Sequence, residues 1–246
     1  MNRPPDARDD GPPPHLLDRW AIRPDGPTTP GWMGRVWPVL GPDVERWVVK
    51  VTDAQHPPTR EADAVLASCL ADLGHVPAPE GLPRVADDLR RLAASIRDHR
   101  GDAPDEVPGA AIERALDTLD AFGVDESRGP DGSLPLVHYD LHYENVLAAP
   151  PGDPRGWVVI DPLPHAGARE VEVVAALRNR LTDAAATGDP DAHLRRRLDR
   201  LAEAAGLDRD LARALTQAVA VDNVLWLARR DPDHLHLAAY RVLIRW

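Results

Sequence analysis

The chain has 246 residues, of which 43% are hydrophobic and 28% are charged, and its formal net charge is −11. This length supports one large domain or two modest ones with a substantial core. The sequence contains no apolar stretch of the ~18 residues that a transmembrane helix needs, no apolar region typical of a secretory signal, and only one cysteine, Cys69. A duplex-binding surface needs clustered cationic charge, which an acidic chain of this kind does not suggest. We therefore expect a cytoplasmic protein without a disulfide scaffold that binds neither membranes nor nucleic acid.

The N-terminal part of the sequence predicts a small antiparallel sheet. Residues 1–14 are rich in proline and aspartate and predict a disordered arm. Three strands are predicted at 16–22, 35–40 and 47–51, and turn residues separate them, including the glycines of segment 31–34. We expect these strands to form a meander with hairpin connections.

Most of the remaining sequence has the apolar spacing of amphipathic helices. Helices are predicted at about 59–73, 83–99, 108–122, 169–186, 190–205, 208–230 and 232–244. Short strands are predicted between the two groups of helices, at 134–137, 146–149 and 157–160. This order predicts an α+β protein with a reduced N-terminal lobe over 15–75 and a mostly helical C-terminal lobe over 76–246, which contains a hairpin at 134–162. The arginine run 195–197 is interpreted as a solvated helix face.

The basic residues single out one candidate for phosphate binding. The chain has 29 basic residues, and only Lys50 among them is a lysine. An ammonium group is a compact point charge that a planar guanidinium does not replace in a tight site. A lysine on a strand, paired with a glutamate in the following helix such as Glu61, can hold nucleotide phosphates by charge.

The hairpin carries a spacing that is typical of phosphoryl transfer. Asp140 and Asn145 lie on a polar loop between apolar strands, and Asp161 follows the next strand. Such a reaction needs a carboxylate that orients the attacking hydroxyl and accepts its proton, and Asp140 fits that role. It also needs oxygen ligands for Mg²⁺, which Asn145 and Asp161 can supply.

Two alternatives of other classes arise from the same residues. His138, Asp140 and His142 are spaced closely enough to suit Zn²⁺, which would make the protein a metal-dependent hydrolase. A protein of this kind that has lost phosphoryl transfer and serves only in binding is the second alternative. Zinc content separates the first alternative from phosphoryl transfer, and nucleotide binding in the presence of Mg²⁺ tests the second.

The same hairpin resembles a known family of enzymes. Segment 136–147 reads Leu-Val-His-Tyr-Asp-Leu-His-Tyr-Glu-Asn-Val-Leu. Together with segments 157–162 and 177–179, it resembles the aminoglycoside/hydroxyurea antibiotic-resistance kinase family, whose familiar members are the streptomycin 6-phosphotransferases. The likeness covers most of residues 15–246. It implies a protein-kinase-like, two-lobed fold and transfer of the γ-phosphate of ATP, with Mg²⁺, to a hydroxyl of a small molecule that is an aminoglycoside-like or hydroxyurea-like antibiotic.

The resemblance assigns a role to each candidate residue. It implies the catalytic base Asp140, the metal ligands Asn145 and Asp161, the loop-supporting His138, and the phosphate-binding pair Lys50 and Glu61. The identity of the acceptor stays open, and a monomer is favoured.

The chain also departs from the family pattern. Tyr139 and Glu144 stand where members often carry glycine, and Glu172 stands where aspartate is usual. Between the predicted helix 59–73 and the proline-rich segment 77–79 there is no room for two more strands and the hinge that hydrogen-bonds adenine in such kinases. The shortened N-terminal lobe therefore predicts weak nucleotide binding and slow transfer, and it favours the alternative of an inactive, kinase-like binding protein.

Overall fold

The computed structural model describes residues 12, 14–27, 29–31, 34–44, 46–52, 60–122, 132–148, 156–179, 181–234 and 236–246. Of the predicted arm 1–14, therefore, only Pro12 and Pro14 lie within the described residues. The chain folds into two compact units. The first, which we call the sheet unit, comprises Met1–His56 and Val146–Ile160, and the second, the helical unit, comprises Pro57–Asn145 and Asp161–Trp246.

The sheet unit is organised around the antiparallel pair β3 (Gly34–Leu40) and β4 (Arg46–Thr52). The short strands β1 (Arg23–Pro24) and β2 (Thr29–Gly31) both pair with the other edge of β3. The hairpin of β6 (Val146–Ala148) and β7 (Trp157–Val159) then joins β2, where Gly31 lies opposite Leu147. The antiparallel meander predicted for the N-terminal segment is thus part of a larger, six-stranded sheet.

Segment 16–22, predicted as a strand, forms helix α1 (Pro14–Trp20) instead. Pro14 occupies its first position, where a fixed φ suits the helix and a missing N–H has no partner to lose. Half-buried Leu17 packs against a buried cluster of Ile22, Trp37 and Val39. The apolar residues that suggested a strand therefore serve a short helix that covers β3.

The helical unit contains eight of the described helices and a two-stranded sheet. The helices are α2 (Arg60–Gly74), α3 (Val85–His99), α4 (Gly109–Phe122), α5 (Val173–Arg178), α6 (Leu181–Ala186), α7 (Pro190–Ala205), α8 (Arg209–Arg230) and α9 (Leu237–Leu243). The strands β5 (Leu136–Val137) and β8 (His165–Ala166) pair in antiparallel fashion. The α+β class predicted from the sequence is confirmed.

The longest helix, α8, forms the centre of the helical unit. It packs against α3, α4, α7 and α9, and its buried side chains run along most of its length. The side chain of Asp208 caps the helix by accepting hydrogen bonds from Asp210 N–H and Leu211 N–H at 2.9 and 3.0 Å. None of the helices that the structure describes is long and apolar enough to cross a membrane.

Helix α2 belongs to the helical unit, so the division of the structure differs from the lobe boundary predicted at residue 75. It packs along α7, where Asp63 of α2 makes an ion pair with Arg197. From Arg60 to Phe122, a stretch described throughout, the chain contains no strand and only isolated bridges at Pro77 and Arg84. The chain therefore passes directly from α2 to α3, as the sequence predicts.

Candidate active site

The polar loop begins at the end of β5, where backbone hydrogen bonds hold His138 in the interior. His138 is buried, its N–H donates to Glu172 Oε1 at 3.0 Å, and its carbonyl accepts a hydrogen bond from Leu163 N–H at 3.0 Å. The ring Nδ1 accepts a longer hydrogen bond, of 3.4 Å, from Asp140 N–H. His138 thus links the start of the loop to Asp140, and its supporting role in catalysis stays a prediction.

Two residues of the candidate site have left-handed backbone conformations. The φ angle is 68° at Tyr139 and 55° at Asp161, where a Cβ atom is disfavoured and aspartate is better tolerated than tyrosine. The Tyr139 ring stacks on His165 with 4.1 Å between ring centroids, and His165 Nε2 lies 2.9 Å from Asp88 Oδ2. Family members often carry glycine at this position, and glycine adopts this conformation without strain. Here the stack on His165 holds the tyrosine in the same conformation.

The carboxylate of Asp140 faces a different group at each oxygen. Arg178 Nη2, at the end of α5, donates a charge-assisted hydrogen bond to Oδ1. Oδ2 lies 3.7 Å from His142 Nε2, which is beyond hydrogen-bond distance. His142 Nδ1 accepts a hydrogen bond of 3.3 Å from Glu144 N–H, so the neutral ring carries its proton on Nε2. Because the Asp140 and Arg178 side chains are 25% and 30% exposed, the carboxylate is anchored and still accessible to a substrate.

Asn145 and Asp161 flank the β6–β7 hairpin. Asn145 is buried, and its Nδ2 donates to the backbone carbonyl of Asp140 at 2.9 Å. This hydrogen bond makes the amide oxygen the atom of Asn145 that could bind a cation. Val146 pairs with Val159, so Asn145 and the exposed Asp161 stand at the same end of the hairpin. An amide oxygen and a carboxylate are ligands that suit Mg²⁺.

A buried charge cluster, formed by Asp63, Tyr143 and Arg197 together with the partly exposed Arg200, supports the loop between Asp140 and Asn145. The Tyr143 hydroxyl donates to Asp63 Oδ1 and accepts a hydrogen bond of 2.7 Å from Arg197 Nε. Arg200 Nε donates to the other oxygen of Asp63 at 3.0 Å. Burial by itself would raise the pKa of Asp63, but the hydrogen bond from Tyr143 and the two guanidinium groups lower it overall. The loop is thereby fastened to both α2 and α7.

Glu172 lies beneath the start of the loop in an apolar environment. Burial raises its pKa to about 7, although the hydrogen bond from His138 N–H and the charge of Arg169 oppose this shift. Its Oε2 is buried and has no hydrogen-bond partner in the part of the chain that the structure describes. The carboxyl that accepts the His138 N–H therefore changes its charge near neutral pH.

The two residues predicted to bind phosphate lie in different units. Lys50 lies on β4, opposite Val36 of β3, and Glu61 is the second residue of α2. In the predicted phosphate loop 31–34, Gly31 ends β2 and Gly34 begins β3, whereas residues 32 and 33 lie outside the described residues. The pairing of Lys50 with Glu61 stays a prediction.

The geometry does not favour the alternative of a zinc hydrolase. Among the residues that the structure describes, no group of three His, Cys, Asp or Glu side chains is arranged to hold a metal ion. His138 and His142 each use Nδ1 to accept a backbone N–H, and Asp140 is bound to Arg178. These contacts build a hydrogen-bonded loop rather than a cluster of convergent ligands.

Sequence reasoning assigned no role to Arg178 and misinterpreted Arg197. Arg178 stands within segment 177–179, which contributed to the resemblance but suggested no contact with Asp140. Arg197 is 1% exposed, so the prediction of a solvated face for the run 195–197 is wrong at this residue. The available signal was its helical spacing, because Arg197 lies three residues after buried Leu194 and four before buried Leu201.

Comparisons with known proteins identify the family of the chain. A model of the family described as aminoglycoside/hydroxyurea antibiotic resistance kinase matches residues 44–231. A streptomycin 6-kinase of Streptomyces glaucescens is 32% identical over 272 positions, which cover 91% of this chain and 86% of that protein. A hydroxyurea phosphotransferase of Kitasatospora aureofaciens is 36% identical over 167 positions, or 68% of this chain and 44% of that protein. Among solved structures, a macrolide 2'-phosphotransferase type I aligns with 94% of each chain at 16% identity and a TM-score of 0.45. The chain belongs to the aminoglycoside/hydroxyurea antibiotic resistance kinase family.

Proposed function

We propose that this protein is an ATP-dependent phosphotransferase that phosphorylates a hydroxyl group of a small-molecule antibiotic. The observation that carries the proposal is the Asp140 carboxylate, which is held at one oxygen by Arg178 while the side chain stays partly exposed. Asn145 lies five residues further on in the same loop and donates to the Asp140 carbonyl. A carboxylate and an amide with this spacing match the general base and a metal ligand of phosphoryl transfer.

Asp140 is the proposed acceptor of the proton from the attacking hydroxyl. The hydroxyl oxygen of the antibiotic forms a bond to the γ-phosphorus of ATP, and the bond between that phosphorus and the β–γ bridging oxygen breaks. ADP leaves with the electron pair, and the hydroxyl proton passes to the carboxylate and then to solvent. Because phosphoryl transfer demands little covalent chemistry from the protein, the main contribution of Asp140 is to orient the hydroxyl.

Asn145 and Asp161 are the proposed ligands of Mg²⁺. The donor set fits this cation, since it offers one amide oxygen and one carboxylate and leaves other coordination positions for phosphates and water. When bound with the nucleotide, the cation neutralises charge on the β- and γ-phosphates. Lys50, with Glu61, is the proposed cationic partner of the phosphates.

The relatives suggest which acceptors to test first. The two relatives described above are named as a streptomycin 6-kinase and a hydroxyurea phosphotransferase, and these names favour catalysis over the alternative of an inactive binding protein. The purified full chain is incubated with Mg²⁺, ATP and either streptomycin, another aminoglycoside or hydroxyurea. We expect one acceptor to gain a single phosphoryl group by mass spectrometry while ADP forms in equal amount.

A matched variant makes this assay decisive. Asp120→Asn replaces an exposed carboxylate on α4 that is paired with Arg97, and it should behave as the wild type. Asp140→Asn should form no phosphorylated product on the same time scale. Absence of transfer to every acceptor, despite binding of Mg·ATP, would instead support the inactive binding protein.

A further inference from the structure

We infer that Arg178 is a positioning residue for the catalytic carboxylate, and that it fixes which oxygen of Asp140 receives the acceptor hydroxyl. This inference rests on the proposed function. It starts from the two oxygens of the carboxylate, which are not equivalent. Oδ1 accepts the hydrogen bond from Arg178, whereas Oδ2 lies 3.7 Å from His142 Nε2, beyond hydrogen-bond distance.

The arginine is held by the helical unit independently of Asp140. It is the last residue of α5, whose other five residues are all buried. The helix ends there because Asn179 has an extended backbone, with ψ of 145°, and because the Asn179 carbonyl accepts a hydrogen bond of 3.1 Å from Arg197 Nη1. The end of the helix is therefore fixed against α7, and the Arg178 side chain starts from a rigid point.

The guanidinium group of Arg178 has a second partner on the C-terminal helix. Tyr240 of α9 is buried, and although burial raises the pKa of its phenol, the charge of Arg178 and a side-chain hydrogen bond with it act in the opposite direction. A guanidinium presents five N–H donors in a planar fork, so it can bind Asp140 and Tyr240 at once. The backbone of Arg178 is fixed by α5, and its guanidinium group is oriented by Tyr240. Arg178 therefore sets the position of the Asp140 carboxylate.

As a consequence, only one oxygen of the Asp140 carboxylate is available to the attacking hydroxyl. Because Oδ1 is engaged by the guanidinium, the attacking hydroxyl donates its hydrogen bond to Oδ2. The His142 ring borders the same oxygen, with Nε2 3.7 Å away. The hydroxyl is thus presented from one side of Asp140, and a shift of the carboxylate by about 1 Å is enough to lower transfer on the order of 10²-fold.

The first test compares kinetic constants of Arg178 variants with a matched control. Arg178→Ala should lower kcat on the order of 10²-fold and change the KM for ATP little. Arg178→Lys should be intermediate, because an ammonium group keeps the charge but lacks the planar fork that binds Asp140 and Tyr240 at once. Tyr240→Phe should lower kcat in the same direction by a smaller factor. Arg195→Ala is the control, since it removes an arginine of similar exposure that is also paired with an aspartate, Asp191.

Chemical rescue separates positioning from a merely structural role. Millimolar guanidinium, far below denaturing concentrations, should restore part of kcat to Arg178→Ala in a saturable manner and should leave the wild type unchanged. A variant with wild-type kcat, an effect confined to the KM for ATP, or a folded Arg178→Ala that guanidinium does not rescue would each overturn the assignment.

A double-mutant cycle tests the pair without any turnover. The shifts in urea midpoint for Arg178→Ala and Asp140→Asn should be non-additive, since each variant removes the same contact. If the two midpoint shifts add in the double variant, Arg178 does not hold Asp140, even if the enzyme is active. If the wild type phosphorylates neither streptomycin nor hydroxyurea, the proposed function fails, and the cycle still decides whether Arg178 holds Asp140.

Discussion

The surroundings of a carboxyl group at this site decide whether it suits a general base or a structural support. Asp140 is partly exposed and bound to a guanidinium, which suits an ionised group that meets a substrate. Glu172, 1% exposed and bound to a backbone N–H, is suited to supporting the loop from below. The residue type is nearly the same in both places, and the environment assigns the role.

Replacement of Asp140 by asparagine should abolish its function as a proton acceptor while keeping its size. We expect kcat to fall by about 10²- to 10⁴-fold, which is the range for loss of a general base. Affinity for Mg·ATP should change little, because Asn145 and Asp161 are untouched. Steady-state kinetics together with calorimetry separate the two quantities, and an Asp140→Asn enzyme with wild-type turnover would remove Asp140 from the mechanism.

The raised pKa of Glu172 predicts a specific dependence of stability on pH. Between its ordinary value of 4.5 and the native value of about 7, the unfolded chain is ionised at this residue while the folded chain keeps the proton. The free energy of unfolding therefore decreases as pH rises through this window, by at most about 3 kcal/mol at 1.36 kcal/mol per pKa unit.

Glu172→Gln should remove this decrease, because the amide does not titrate. Urea unfolding of the wild type and the variant at several values between pH 4.5 and 7 measures the effect. Glu203→Gln, which replaces an exposed carboxylate on α7, should keep the slope of the wild type. Parallel curves for all three proteins would contradict the protonation of Glu172 in the folded state.

At the scale of elements, the buried charge cluster explains why α2 packs against α7. Asp63 of α2 is 6% exposed, and Arg197 of α7 is 1% exposed. Two groups so deeply buried are tolerated only when each neutralises the other, so the helices that carry them must lie together. Tyr143 shares their hydrogen bonds, and α2 is thereby linked to the polar loop between Asp140 and Asn145.

Asp63→Asn should be strongly destabilising because it leaves the buried guanidinium of Arg197 without a countercharge. We expect the free energy of unfolding to decrease by about 3–5 kcal/mol. Asp199→Asn, at an exposed position on α7 with Arg209 3.9 Å away, should cost no more than about 0.5 kcal/mol. Urea denaturation measures both, and equal losses would contradict the role assigned to the cluster.

The pKa of Asp63 also predicts the pH below which the buried charge cluster stops contributing to the free energy of unfolding. Since the native pKa lies below the ordinary value of 3.8, the contribution of Asp63 to stability is complete above that pH. It is lost as pH falls through the lower, native pKa, where the carboxylate takes up a proton. The stability difference between the wild type and Asp63→Asn should accordingly shrink below pH 3.8.

At the scale of the whole molecule, the direct passage from α2 to α3 has a consequence for nucleotide binding. Residues 75–84 lie between these helices and contain no strand, whereas the family resemblance implies a hinge whose backbone hydrogen-bonds adenine. The groups proposed to bind the phosphates and the metal are all present in the chain. Affinity should therefore come from the phosphate end of the nucleotide.

We accordingly expect weak binding with little preference between ATP and GTP. Each neutral hydrogen bond contributes about 0.5–1.5 kcal/mol, so the loss of two, with some buried ring area, costs roughly 2–4 kcal/mol, or about 30- to 1000-fold in affinity. Isothermal titration calorimetry with Mg·ATP and Mg·GTP measures both constants. Micromolar affinity with a strong preference for ATP would mean that the chain builds an adenine site by other means.

The sequence determined the features that depend on local patterns. The apolar spacing predicted α7 at its observed bounds, 190–205, and placed α3, α4 and α8 within two residues of their ends. The spacing of Asp140, Asn145 and Asp161 around two short strands identified the loop, and the residues of segment 136–147 carried the resemblance to the family. These features are encoded by residues close together in the chain, so periodicity and spacing are sufficient to detect them.

The tertiary structure decided the features that depend on contacts between remote residues. Arg178 binds Asp140 across 38 positions, and Arg197 binds Asp63 across 134. The break between α5 and α6, where one continuous helix was predicted, occurs where Asn179 bonds to Arg197. The apolar residues of α1 suit a strand or a helix equally well, and packing on β3 selects the helix. No periodic pattern records which distant partner a side chain will meet, because that choice is made only when the elements pack and the buried charges must be neutralised.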